Sequence, residues 1–126
     1  MTKLRTGVKV RRILVVEDEP GLQEALVLVL EMEGFEILRA NDGKEGLACL
    51  EHGADLVLTD FMMPRMNGHE MISAIRDMPE HAQTPIILMS AALPQYVDAS
   101  LADAFLQKPV TVERLVKTIG SLLLPA

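Results

Sequence analysis

Asp60 follows the apolar run Leu56-Val57-Leu58 and Thr59, and precedes a loop that holds Pro64 and Gly68. An apolar run that stops at a polar residue before a proline and glycine loop reads as a buried strand presenting that residue at its rim. The same grammar recurs three times. Glu17 and Asp18 follow Ile13-Leu14-Val15-Val16, Ser90 ends Pro85-Ile86-Ile87-Leu88-Met89, and Lys108 follows Ala104-Phe105-Leu106-Gln107. If these strands run parallel, all four ends lie on one edge. Three carboxylates crowded there repel one another, which raises at least one pKa unless a cation intervenes. A hard divalent ion held by oxygens, best matched by Mg2+, resolves the conflict and keeps coordination positions open for water and a phosphoryl oxygen. Asp60 is then a candidate nucleophile toward phosphorus. The Lys108 ammonium would stabilise the charge on the phosphoryl oxygens, and the Ser90 hydroxyl would donate to one of them.

The elements that must position these groups alternate along the chain. After the first strand, Pro20 suits the first turn of a helix in which Leu22, Ala25, Leu26, Val29 and Leu30 recur at helical spacing, ending at Gly34. Phe35 to Ala40 is a second strand, nearer an edge because it tolerates Glu36 and Arg39. Asn41-Asp42-Gly43 then caps a helix through Leu47, Cys49 and Leu50 that stops at Gly53. Met71, Ile72 and Ile75 mark a third helix. Between the fourth and fifth strands, Pro94 can open a helix of hardly two turns holding Tyr96, Val97 and Leu101. Thr111 caps a last helix with Val112, Leu115, Val116, Ile119, Leu122 and Leu123 on its apolar face. Five strands and five helices over short connections predict an α/β fold with a parallel sheet covered on both faces. In such a fold a site forms at the carboxyl ends of the strands, where strand order reverses.

Bulk properties narrow the classes. The 126 residues suffice for one domain, and 49% hydrophobic with 24% charged residues is ordinary globular composition. The longest wholly apolar run, Ala25 to Leu30, is far below the roughly 20 residues of a membrane span. No signal core follows the cationic start, so a cytoplasmic location and no membrane partner are expected. Five of the twelve cations fall in the first twelve residues, which hold no acid. The rest therefore carries seven cations against eighteen acids, net −11, which argues against nucleic acid as a direct ligand. Residues 1–10 read as a flexible basic lead-in to a domain over residues 11–126. Cys49 and the cluster Met62, Met63 and Met66 read as packing residues. His52, His69 and His81 lack metal-ligand spacing and are expected at the surface.

The motifs Ile13-Leu14-Val15-Val16-Glu17-Asp18-Glu19-Pro20, Thr59-Asp60-Phe61-Met62-Met63-Pro64-Arg65-Met66-Asn67-Gly68, Leu88-Met89-Ser90-Ala91 and Lys108-Pro109 occur in order over residues 11 to 124. In this the chain resembles the receiver domain of two-component response regulators, especially single-domain, chemotaxis-regulator-like ones. The resemblance implies a flavodoxin-like three-layer sandwich with strand order 2-1-3-4-5. It implies Asp60 as phosphoacceptor, with Mg2+ held by Asp18, Asp60 and the Met62 backbone carbonyl, and Glu17 acting through a coordinated water. By the same resemblance Ser90 and Phe105 form a switch pair and Lys108–Pro109 is a cis peptide. The implied partners are a sensor histidine kinase or phosphotransfer protein and an unidentified output protein. A homodimer through the fourth helix, fifth strand and fifth helix is a further expectation.

Two departures from the family pattern bear on function. Glu17 stands where many members have aspartate. The stretch from Ser90 to Lys108 is about four residues short, so the helix within it is expected to be shortened. That shortening motivates an alternative, a receiver-like module that works by constitutive contact or dimerisation without phosphorylation. A phosphatase using an aspartyl-phosphate intermediate would want a second aspartate two residues after the nucleophile, where this chain has Met62. The expected role is thus a phosphoacceptor that assists its own phosphoryl transfer and slow dephosphorylation, not an enzyme acting on other substrates. The chain ends about three residues past its last predicted helix, and no output domain is expected within it.

Overall fold

The structure, a computed structural model, describes residues 10–63, 66–92 and 97–123. Its strands are β1 (Arg12–Val16), β2 (Glu36–Ala40), β3 (Leu56–Asp60), β4 (Ile86–Ser90) and β5 (Ala104–Gln107), joined by α1 (Pro20–Met32), α2 (Gly43–Cys49), α3 (Gly68–Arg76) and α4 (Val112–Leu122). The sheet is wholly parallel in the order β2-β1-β3-β4-β5, as the resemblance implied. Strand order reverses at β1 and β3, which brings the ends of these two strands side by side.

Alternate residues of the central strands feed two separate cores, because successive side chains of a strand point to opposite faces. Leu14, Val16, Val57, Ile86 and Leu88 pack with Leu50, Met71, Ile72 and Ile75 on the side of α2 and α3. Ile13, Val15, Leu56, Leu58, Ile87 and Met89 pack with Leu30, Leu115 and Ile119 on the side of α1 and α4. Each fully buried aliphatic side chain contributes roughly 1.5–3 kcal/mol, so the sheet is held from both sides.

Local chemistry sets the helix ends. Pro20 opens α1, Asp42 accepts from the Glu45 amide at 2.9 Å, and Thr111 accepts from the Arg114 amide at 3.1 Å. Asn67 and Glu70 form a reciprocal capping box that starts α3 directly after the Asp60 loop. Gly68, expected in the loop, is thus the first residue of α3. Gly34 and Gly53 adopt φ of +97° and +82°, the left-handed region, at the ends of their helical segments.

The structure corrects the sequence reading at three points. Four α-helices, not five, are present among the described residues. Residues 91–92 and 97–103 form bends and one turn, while Leu93, Pro94, Gln95 and Tyr96, where the short helix was expected to begin, lie outside the described residues. Within that segment Asp98 accepts hydrogen bonds from both the amide and the hydroxyl of Ser100, a local bond pattern that competes with a helix. Arg76 draws the Leu101 carbonyl (3.1 Å) and the Asp103 carboxylate (2.9 Å) toward α3. Second, the buried face of α1 is Gln23, Val27 and Leu30, and Ala25 is exposed. Third, His81 is buried, its Nδ1 2.9 Å from the Thr84 hydroxyl. The lead-in, apart from Val10, lies outside the described residues.

Candidate functional site

The sheet register brings the chemistry together. Val16 pairs with Thr59, so Glu17 comes level with Asp60. Asp60 pairs with Met89 and Ser90 with Gln107, so Lys108 leaves the sheet one residue beyond Ser90's level. Ladder bonds continue past the strands. The Glu17 amide donates to Ala40 (3.0 Å), the Phe61 amide to Met89 (2.8 Å) and the Lys108 amide to Ser90 (2.8 Å). The acid, hydroxyl and ammonium groups thus hang from backbone that is fixed up to their own residues.

At the edge, Lys108 Nζ lies 3.1 Å from Asp60 Oδ1 and 3.3 Å from Glu17 Oε1. Carboxylate oxygens of Glu17, Asp18 and Asp60 all lie within 4.8 Å of one another. Glu17 and Asp60 are buried, whereas Asp18 is exposed and opens the cluster to solvent. Burial, and secondarily the Asp60 charge, raises the Glu17 carboxyl above its ordinary pKa. Burial likewise raises Asp60, although its hydrogen bond to Lys108 and the attraction of that ammonium work the other way. Burial alone would lower Lys108, but its contacts with Asp60 and Glu17 outweigh this and raise it. At 4.8 Å, two carboxylates repel by on the order of 3 kcal/mol at an effective dielectric of 20, so one ammonium does not relieve three acids. The donor set is hard oxygen, partly open to water and over-supplied with negative charge. It fits a divalent cation of the magnesium type.

The loop beyond Asp60 is tied at both ends. The Gly68 amide donates to the Phe61 carbonyl at 2.8 Å, and the Thr59 hydroxyl donates to the Asp60 carbonyl at 2.9 Å. A Cβ at Gly68 would stand 2.6 Å from the Asp60 carbonyl oxygen and 2.9 Å from Phe61 Cα, so the first turn of α3 rests directly on the backbone of Asp60. Met62 sits in this loop 65% exposed, so of the three methionines expected to pack only Met63 and Met66 do. Ser90 is fully buried, and its Oγ accepts from the Ala92 amide at 3.0 Å. Phe105 is half-buried on β5, in register with Leu88, and packs against the core on the α2 and α3 side. The Lys108–Pro109 peptide is cis.

Of the residues singled out in the sequence, Glu17, Asp18, Asp60 and Lys108 converge. Ser90 stands on the same edge, but its hydroxyl is engaged within its own loop. Two contributors were missed. Gln23 is buried behind Glu17, at the i, i+4, i+7 spacing it shares with Val27 and Leu30. Thr59 hides in an otherwise apolar strand. The Gln23 spacing was the available signal; Thr59 offered none.

Comparison with known proteins matches residues 13–120 to the response regulator receiver domain. The transcriptional regulatory protein CpxR of Klebsiella pneumoniae is 38% identical over 116 residues, which cover 89% of this chain and 49% of that protein. The chain thus spans about half the length of the curated relatives it matches. Among solved structures, the chemotaxis response regulator CheY4 of Vibrio cholerae superposes with a TM-score of 0.85 at 28% identity, covering 91% of this chain and all of the other. The response regulator TrrA of Thermotoga maritima, solved in complex with Mg2+ and BeF, gives 0.83 at 34% identity and covers 90% of this chain and all of the other.

Proposed function

This chain belongs to the response regulator receiver family of phosphorylation-based two-component signalling, and from that premise we propose that Asp60 accepts a phosphoryl group from a sensor histidine kinase or phosphotransfer protein. The observation that carries this reading is the meeting of Lys108 Nζ with Asp60 (3.1 Å) and Glu17 (3.3 Å) beside the third carboxylate of Asp18. One carboxylate oxygen of Asp60 attacks phosphorus as the donor's bond to phosphorus breaks, and the phosphoryl group ends as an acyl phosphate on Asp60. Lys108, freed from part of its pairing with Asp60, stabilises the oxygens of the new group. Ser90 exchanges its Ala92 contact for a bond to one of these oxygens, and Phe105 packs inward as the hydroxyl moves. Asp18, Asp60 and the Met62 backbone carbonyl would hold Mg2+, with Glu17 acting through water. The ion, when bound, supplies charge neutralisation for the acids and the transferring group. That a structural neighbour 34% identical to this chain was solved with Mg2+ and BeF supports the same reading.

The domain would comprise residues 11–126 behind the basic lead-in of residues 1–10. It assists its own dephosphorylation slowly and is not an enzyme acting on other substrates. No helix among the described residues is long and apolar enough to cross a membrane, and a cytoplasmic location is part of the proposal. The output partner and any homodimer would use β5, α4 and the segment before β5.

Incubation with acetyl phosphate and Mg2+ should add the mass of one phosphoryl group to the chain and none to Asp60→Ala. Equal gain in both would refute Asp60 as acceptor. A partner bound equally by wild type and Asp60→Ala would instead establish constitutive contact.

A further inference from the structure

We infer that Gln23 is a positioning residue for the acidic edge: its buried carboxamide holds the Glu17–Asp18 peptide, and so aims two of the three carboxylates. The inference rests on the magnesium reading above. Gln23 is 8% exposed, and its Nε2 lies 3.1 Å from the Glu17 carbonyl, 3.0 Å from the Ala40 carbonyl and 3.2 Å from Asn41 Oδ1. A carboxamide has two N–H groups, so three acceptors at these distances share them.

The geometry follows from the helix that carries it. Side chains of an α-helix lean toward its N-terminus, so a long side chain one turn into α1 reaches back over the ends of β1 and β2. There the ladder runs out. The Glu17 amide makes its last bond, to Ala40 at 3.0 Å. The Glu17 carbonyl lies beyond it, and among the described residues Gln23 is the donor that meets it. That carbonyl and the Asp18 amide belong to one planar peptide, so fixing the oxygen fixes the direction in which Asp18 leaves the strand.

Such a brace is required because the side chains it carries repel. Oxygens of Glu17, Asp18 and Asp60 within 4.8 Å of one another push the Glu17–Asp18 turn away from β3, and the turn can yield only if its backbone can. Groups that orient metal ligands without touching the metal commonly govern affinity by roughly 10–100-fold. Asn41, which is exposed, accepts from the same carboxamide nitrogen through its Oδ1 at 3.2 Å.

The test is calorimetric titration of the full chain with Mg2+, wild type against Gln23→Met, which keeps length and bulk but removes both donors. Binding should weaken about tenfold, at unchanged far-ultraviolet circular dichroism. A merely structural role would lower the denaturation midpoint and leave the Mg2+ dissociation constant within twofold, and that result overturns the inference. Should Gln23→Met fail to fold, the wild type decides: the side-chain amide resonances of Gln23 must shift on saturation with Mg2+, and resonances that stay in place overturn it equally. A wild-type chain that takes up no Mg2+ refutes the metal reading itself, and this inference with it.

Discussion

One substitution made at two glycines should give opposite results. At Gly68 an added Cβ would meet the Asp60 carbonyl oxygen at 2.6 Å, Phe61 Cα at 2.9 Å and Leu88 Cδ1 at 3.0 Å. Two of these three atoms are backbone, so the helix start must move by about half an ångström or more to reach ordinary contact, and overpacking of this kind costs roughly 1–3 kcal/mol. Alanine recovers about 0.5–1 kcal/mol of helix propensity, leaving Gly68→Ala destabilised by ~1–2 kcal/mol. At Gly120, exposed in α4, an added Cβ meets nothing within 4 Å, so Gly120→Ala should gain ~0.5–1 kcal/mol. Gly46→Ala should fall between them, because its closest contact, 2.8 Å, is with the flexible Met71 Sδ. Urea denaturation followed by circular dichroism reads all three, with the slope unchanged if only the folded state is affected. In heat this separates the outer two variants by about 10 °C. Gly68→Ala should also slow phosphorylation by acetyl phosphate, since the atom it displaces belongs to Asp60. If Gly68→Ala and Gly120→Ala agree within about 0.5 kcal/mol, the claim that α3 rests on the Asp60 backbone is wrong.

The raised carboxyls of Asp60 and Glu17 make a pH prediction. The folded state holds these protons to higher pH than the unfolded chain, so their contribution to stability is present below the ordinary values of 3.8 and 4.5 and is lost as pH rises through the raised ones. Without metal, Asp60→Asn should therefore be more stable than wild type at neutral pH, with an advantage that grows with pH by at most about 1.4 kcal/mol per unit and then levels off. Denaturation at several pH values checks this; an advantage that shrinks with pH contradicts it. Arg76→Met should cost about 2–4 kcal/mol, because the guanidinium donates to the carbonyls of His81, Ala82, Thr84 and Leu101 and to Asp103. Equilibrium denaturation measures this loss, and a change under 1 kcal/mol would show that water replaces those bonds.

Much of the site could be read from the chain because it obeys a one-dimensional rule: apolar run, then a polar residue. Asp60, Glu17, Asp18, Ser90 and Lys108 each follow such a run, and parallel pairing does the rest. What resisted reading were polar side chains whose burial depends on which groups the fold brings beside them. Gln23 looks solvent-facing beside Leu22 and Leu26, yet it is buried, with its carboxamide donating to the carbonyls of Glu17 and Ala40. His81 looked like a surface histidine until Thr84 supplied a partner. The expected helix before β5 failed for a related reason. Apolar spacing at Val97 and Leu101 favoured it, but the Asp98–Ser100 turn and the pull of Arg76 favour another path.

That pull also shapes how the crossover before β5 can vary. A helix docked on a sheet spreads its attachment over many side chains, and losing any one leaves the others. Here the described part of the crossover is held by the buried Val97, by Ala99 and Ala102 against the core, and by the Arg76 guanidinium on Leu101 and Asp103, while the Asp103 carboxylate grips the first amide of β4 at 2.8 Å. Ser100 and Leu101, both exposed, are then free to vary in side chain, since Arg76 holds only the Leu101 carbonyl, and the strand that carries Phe105 and leads to Lys108 keeps its place.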